Sequence, residues 1–434
     1  MQKKLIKNYT NFPQYESRRQ EVVDWLLKDG NNYCALPYTH MAIEANGDIR
    51  PCCVGKPFKN LNIRNKSIED VWNDPQRQKF VDTFDKKMKN SLCNACWVDN
   101  DKHSMRVTAS TRFDVIQHTI DIMEGKDSGR ERSLKWLEIK PGNRCNLKCR
   151  ICGVHNSSQW AKDQYQFNKH TNNQDKKFKD SKEFEYTASC DWIDNKDFWA
   201  NVKSFKEIST IHFMGGEPFM VLEHFVMLKK LIEDPDVDHT NIIIRYNTNG
   251  TYFPTLAQLK IWKQFNRVIL SISVDDINDR FEYQRSLASW KDVKRNLIKY
   301  KKLNDSMGGK LTAVLDPCVS IFNVWWIDEI EKEFNQLGYK FEFPHRHFVT
   351  SDYYDARVLP YEIKNKLIKK YKNRSQWQTD VAEFLESKNP HDRTALSEAL
   401  KSIEFYDKLR KESFQQINNI LYNEIRKYNN GTIT

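Results

Sequence analysis

The chain has 434 residues, 69 lysines and arginines against 58 aspartates and glutamates, a formal net charge of +11 and 12% aromatic residues. Such a length buries a sizeable core in two or three domains, and the aromatic content excludes a disordered chain. No apolar run approaches a membrane span, and the start, Met1-Gln-Lys-Lys-Leu-Ile-Lys-Asn8, lacks the apolar core of a signal peptide. The positive balance invites a nucleic-acid reading. The lysines are interleaved with acids, however, as in Asp175-Lys-Lys-Phe-Lys-Asp180, which is the pattern of a solvated face. Nucleic acid and membrane are therefore not expected as partners.

In chain order, the first informative feature is a cysteine set: Cys34, then Gly47 and Cys52, then Cys93-Asn-Ala-Cys96. Four thiolates can ligate all four irons of one [4Fe–4S] cluster, or one structural zinc, and the spacing leaves both open. Cys53 adjoins Cys52, and in an extended stretch the two side chains point to opposite faces. Strands are predicted near 134–140, 209–214, 241–246, 267–274, 310–316 and 339–344. Helical patterns fall between them, over Leu222–Ile232, Leu256–Phe265, Trp290–Leu303 and Trp326–Leu337. Alternating strands and helices predict a parallel α/β sheet. Residues 161–200 are polar and long, a helical or loop insertion placed where lids occur. From Tyr361 onward Leu385, Leu396, Leu400, Ile403, Leu409, Ile417, Leu421 and Ile425 supply the apolar positions of a helical extension. The expected organisation is a cysteine-rich module over 1–110, a linker over 111–133, the βα domain over 134–350 and a helical extension over 351–434.

The densest chemistry lies at Cys145-Asn-Leu-Lys-Cys149-Arg-Ile-Cys152, directly after the first predicted strand. Three thiolates at this spacing can hold three irons of a [4Fe–4S] cluster and leave the fourth iron open to a small molecule. A zinc site would need a fourth ligand, and only His155 is near. The second strand ends in Gly215-Gly216-Glu217-Pro218, where two glycines permit close backbone approach and the glutamate can accept from an ammonium group. Asn247, Asn249, Ser273 and Asp275 follow at the ends of later strands, the face on which parallel α/β barrels carry their chemistry. Seven of ten cysteines fall in these two sets, which predicts a reducing, cytoplasmic compartment rather than disulfides. Cys53, Cys190 and Cys318 are left over. Cys318 stands near the end of a predicted strand, on the same face as the other polar groups.

The CxxxCxxC loop followed by GGEP resembles the radical S-adenosylmethionine (SAM) enzymes. The Cys34–Cys96 set resembles a SPASM domain in its half-sized, twitch form. The likeness extends over roughly residues 30–360, through Tyr33-Cys34-Ala-Leu-Pro-Tyr-Thr-His40, Asn46-Gly-Asp-Ile-Arg-Pro-Cys-Cys53, Ser67-Ile-Glu-Asp-Val-Trp-Asn73 and Ser157-Ser158-Gln-Trp160. It implies a partial (β/α)6 barrel and a SAM-binding [4Fe–4S] cluster on Cys145, Cys149 and Cys152. It further implies an auxiliary [4Fe–4S] cluster on Cys34, Cys52, Cys93 and Cys96. Gly215, Gly216 and Glu217 would hold the SAM amine. Asn247, Asn249, Ser273 and Asp275 would line its side, with Ser273 toward the ribose, and Arg285, in the segment Arg280–Arg285, would lie near its carboxylate. The implied activity is radical hydrogen abstraction, with flavodoxin or ferredoxin as electron donor and a peptide or protein as substrate. Alternatives are a dehydrogenase or epimerase of a sugar or nucleotide, or a non-catalytic iron–sulfur or zinc protein. SPASM and twitch segments usually follow the barrel; here the module precedes it.

Overall fold

The computed structural model describes residues 13–30, 32–98, 105–111, 115–126, 132–172, 181–200, 206–339, 347–350, 354–391 and 394–431. Its centre is one seven-stranded sheet: β1 (His40–Ile43), β2 (Ile49–Arg50), β3 (Trp136–Ile139), β4 (Thr210–Phe213), β5 (Ile243–Thr248), β6 (Arg267–Ile272) and β7 (Leu311–Leu315). The spatial order is β2-β1-β3-β4-β5-β6-β7, parallel throughout except for the antiparallel β1–β2 pair. Five predicted strands are present. The sixth, near 339–344, falls almost wholly outside the described residues.

Two of the seven strands come from the cysteine-rich module. β1 pairs in parallel with β3, Ala42 opposite Glu138, so the module extends the sheet instead of standing beside it. The β1 sequence, His-Met-Ala-Ile, is too short to show a period. The module also contains helices α1 (Pro13–Leu27), α2 (Pro75–Asp85), α3 (Met105–Ser110) and α4 (Ile116–Met123), the last lying in the segment read as a linker. Arg106 ties three parts of it together: its guanidinium donates to the carbonyls of Leu26, Gly30 and Tyr33.

The insertion after β3 is helical, with α5 (Trp160–Asn172) and α6 (Lys182–Ala188). It works as a bridge. Trp192 donates to the Ala45 carbonyl of the module at 2.8 Å, Arg64 of the module reaches the Ser189 carbonyl, and Asn143 beside the cysteine loop reaches Thr187. Beyond it come α7 (His224–Glu233), α8 (Leu256–Trp262), α9 (Asn278–Gln284), α10 (Trp290–Ser306) and α11 (Ile327–Gln336). A reciprocal Thr255–Gln258 capping box starts α8.

Strand alternation divides the sheet into two faces. Ile211, Phe213, Ile244 and Tyr246 are fully buried, and Phe213 and Tyr246 stack with Phe219, His224 and Trp262 of the helical side. Each such aromatic contributes about 1.5–3 kcal/mol of burial. The other face is polar. Glu138, His212 and Arg245 lie in register on β3, β4 and β5. The predicted C-terminal extension is present as α12 (Tyr361–Tyr371), α13 (Gln376–Glu386), α14 (Ala395–Arg410) and α15 (Asn419–Gly431). Among the described residues no helix is long and apolar enough to cross a membrane.

Candidate functional site

The loop carrying Cys145, Cys149 and Cys152 leaves the C-terminal end of β3 and is held by its own carbonyls. Ser157 donates to the Leu147 carbonyl and the Trp160 indole to that of Cys149. On its far side the loop pairs with the segment after α9. Lys148 N donates to Ser286 O at 3.2 Å, and Arg150 N donates to Gln284 O at 2.7 Å. These two bonds flank Cys149 and set Arg285 opposite it. The Arg285 guanidinium lies 3.8 Å from the Cys149 sulfur and 2.8 Å from an Asp275 oxygen. Burial pushes the Cys149 thiol up to about 11 and the Cys152 thiol up to about 12, and the neighbouring thiols add to both shifts. Burial disfavours the charge of Arg285 too, but Asp275 and Cys149 outweigh it and raise its affinity for the proton. A cationic centre among the three sulfurs would reverse the cost of ionising them.

The glycine pair fits against this loop. A Cβ on Gly216 would lie 2.2 Å from the Arg144 carbonyl oxygen, so only glycine allows the approach. Gly215 has φ +87°, the left-handed region. Glu217 N then donates to Arg144 O at 2.7 Å, joining the two loops directly. The Glu217 carboxylate is buried and already accepts from Thr248 Oγ1 (2.9 Å), Asn249 N (2.8 Å) and Phe219 N (3.3 Å). Burial pushes it up to about 7 against the pull of those donors. One lone pair, on Oε2, is left for a further donor. Glu217 thus braces the end of β5 as well as offering an acceptor. Asn249 completes the junction, with its Nδ2 2.8 Å from Asn146 Oδ1 and 3.9 Å from the Cys145 sulfur.

The structure gathers Cys145, Cys149, Cys152, Gly215, Gly216, Glu217, Asn249, Asp275 and Arg285. Asp275 is turned to Arg285 and to the backbone N–H of Cys318. Ser273 stands just past β6, half-buried, its N–H on the Thr248 carbonyl. Asn247 joins His212 instead, at 2.8 Å. Of the two arginines in the Arg280–Arg285 segment, Arg280 is taken up by Asp276 and Glu329 over the Trp326 ring. The thiols therefore face Arg285. Its buried Nε has no hydrogen-bond partner among the described residues, which suits an anionic group of a bound molecule.

Cys34, Cys52, Cys93 and Cys96 line one common space of about 320 Å³, partly open to solvent, together with Arg106 and Trp97. Cys53 does not line it; Glu138 and Cys52 are the charges that act most on its thiol after burial itself. Burial pushes Cys34 up to about 12 and Cys52 up to about 11, with Cys96 adding to both. Among the described residues no three His, Cys, Asp or Glu side chains converge as ligands of a single metal ion.

Sequence reasoning missed the polar row on the sheet. Glu138 lies 3.6 Å from His40, whose other ring nitrogen meets the Pro51 carbonyl beside Cys52. Glu138 Oε1 and His212 Nδ1 are buried without a partner. Burial holds His212 neutral, its pKa lowered to about 4. The available signal was polar residues at alternate positions of strands that βα packing should bury on both faces.

Residues 139–315 match the model of the radical SAM superfamily, and residues 34–97 match that of SPASM, an iron–sulfur cluster-binding domain. An uncharacterised protein of Methanocaldococcus jannaschii is 27% identical over 210 residues, which are 48% of this chain and 60% of that protein. The chain thus spans under two thirds of this curated relative. Among solved structures, anSMEcpe with bound AdoMet and the Cp18Cys peptide is 17% identical, with TM-score 0.33, covering 54% of this chain and 59% of its own. SuiB of Streptococcus suis is 13% identical, with TM-score 0.30, covering 77% and 69%.

Proposed function

We propose that this chain, an enzyme carrying the radical SAM and SPASM domains with a SAM-binding [4Fe–4S] cluster and an auxiliary iron–sulfur cluster, modifies a peptide or protein by hydrogen abstraction. One observation carries the reading: the loop of Cys145, Cys149 and Cys152 lies against the buried Arg285, 3.8 Å from the Cys149 sulfur and with no partner for its Nε among the described residues, while the GGE loop is bonded directly to the cysteine loop. When bound, the three-thiolate cluster supplies one electron to SAM, whose cleavage yields the radical that takes the substrate hydrogen.

The chain's own groups position the reaction. Cys145, Cys149 and Cys152 would hold the cluster, and Cys34, Cys52, Cys93 and Cys96 the auxiliary one. Arg285 would orient an anionic group of SAM, and Gly216 lets the backbone of the GGE loop close on the cysteine loop. The Glu217 lone pair left by its three protein donors would take the SAM ammonium. The polar row of Glu138, His212 and Arg245 favours a substrate rich in hydrogen-bonding groups, as a peptide is. A small reducing protein such as flavodoxin or ferredoxin would deliver the electron.

The test uses anaerobically reconstituted chain, dithionite and SAM, with 5′-deoxyadenosine as readout. Wild type should form it and hold about eight irons per chain. Changing Cys145, Cys149 and Cys152 to Ala should abolish it and leave about four irons, whereas Cys93→Ala with Cys96→Ala should spare it. Loaded wild-type chain that forms no 5′-deoxyadenosine would refute the activity.

A further inference from the structure

We infer that residues 407–412, at the end of α14, form a buried clasp that positions the CxxxCxxC loop, making the C-terminal extension part of the SAM-cluster site. The inference rests on the reading of Cys145, Cys149 and Cys152 given above.

Arg150 lies between Cys149 and Cys152 and is 1% exposed. Its Nη2 reaches the carboxylates of Asp407, at 2.6 Å, and Glu412. Its guanidinium lies 4.1 Å from the centre of the Tyr283 ring, and the Tyr283 hydroxyl donates to Asp407 at 2.9 Å. Arg410 works from the other side. Its Nε donates to Asp163 at 2.8 Å and its Nη1 to the carbonyl of Lys148 at 2.9 Å, while its guanidinium stacks over Trp160 and Tyr406. Lys148 closes the set on Asp163 at 3.0 Å. Glu412 and Arg410 both bond the Ser286 hydroxyl, beside the residue that faces Cys149. The clasp thus grips the loop at Lys148 and Arg150, the residues on either side of Cys149.

Its charges balance within itself: Lys148, Arg150 and Arg410 against Asp163, Asp407 and Glu412. The turn that brings them together is a left-handed residue, Lys411, at φ +58°. Asp407 also accepts from the N–H of Phe414, which folds the chain back after that turn. A buried, self-neutral set gains little as attraction, but removing one member leaves a charge without its partner. That is how a distant segment fixes one loop shape. Groups that orient metal ligands in this way shift metal affinity by roughly 10- to 100-fold.

The experiment compares full-length wild type with Asp407→Asn and Arg410→Met. Glu424→Gln, which breaks a tail ion pair with Lys366, serves as control. After anaerobic reconstitution, the readouts are iron per chain, the rate of iron loss to a chelator, and the electron paramagnetic resonance signal of the reduced cluster with and without SAM. The clasp variants should lose SAM-cluster iron roughly 10- to 100-fold faster and lose the SAM-induced change in the signal. The auxiliary-cluster signal and the control should stay as in wild type. If Asp407→Asn does not fold, Glu412→Gln, on the less buried carboxylate, takes its place. Wild-type iron retention and SAM response in the clasp variants, or equal loss from both clusters, would overturn the clasp. Wild type that takes no iron on Cys145, Cys149 and Cys152 would instead sink the reading beneath it.

Discussion

The two cysteine sets place one buried arginine each among their thiols, yet anchor it differently. Arg285 is tied to the carboxylate of Asp275, so its charge is matched within the protein. Arg106 is held by the carbonyls of Leu26, Gly30 and Tyr33, which carry no net charge. Burial pulls its proton affinity down, and Cys34 and Cys96 push back. The set with three thiols thus receives a cation paired with a carboxylate, and the set with four a cation bonded to three carbonyls. The framing differs as well. The four thiols come from separate segments of one module, whereas the three sit on one loop held by the segment after α9 and by the C-terminal extension.

The sharpest way to break this contrast is to remove each arginine. Arg285→Met leaves Asp275 as a buried, unpaired carboxylate and should cost about 3–5 kcal/mol in denaturant unfolding of the cluster-free chain. Arg106→Met takes the donor away from the carbonyls of Leu26, Gly30 and Tyr33 and should cost about 1–3 kcal/mol. On reconstitution each variant should lose iron from its own set alone. A larger cost for Arg106→Met would reverse the assignment.

Acid should separate the regions next. Burial lowers His212 and His224 to about 4, from an ordinary value of ~6.5, and both lie in the βα domain, on β4 and α7. Their neutral forms stabilise the fold fully above the ordinary value, and that contribution is lost as pH falls through 4. Each is worth at most about 3 kcal/mol. Hydrogen exchange in β4 and α7 should therefore accelerate between these pH values before exchange in α1 and α2. His224→Gln should flatten the dependence; an unchanged profile would count against the assignment.

The smallest expected effect is Gly216→Ala. The added methyl must push the GGE loop off the Arg144 carbonyl, at a cost of about 1–3 kcal/mol. SAM affinity, followed by equilibrium dialysis, should fall while iron on Cys34, Cys52, Cys93 and Cys96 is kept. Wild-type affinity would mean that the close approach does not matter for binding.

What could be read in advance follows from which residues the chemistry makes irreplaceable. Thiolates at fixed spacing, two glycines before a glutamate, and β-branched runs alternating with amphipathic helices are local signals, and the structure brings them together. Arg285 rather than Arg280 was named by resemblance, and its place against Cys149 comes from the pairing of Lys148 with Ser286 and Arg150 with Gln284. Asp407, Arg410 and Glu412 gave no signal in the sequence, because nothing in a lysine-rich tail marks charges that become partners of Arg150 and Lys148. Cys52 rather than Cys53 was named by resemblance, and Cys52 is the one of the two that lines the cavity.

The parallel pairing of β1 with β3 bears on how the molecule is made. Met41 and Ile43 belong to a strand that leaves the ribosome well before its partner, Leu137 to Ile139, has been synthesised. Until then that strand is an open edge with apolar side chains, the kind of surface that pairs wrongly when it waits. Truncation after the module would leave this edge permanently uncovered, so residues 1–110 produced alone should aggregate, whereas a fragment reaching through β3 gives the strand its partner.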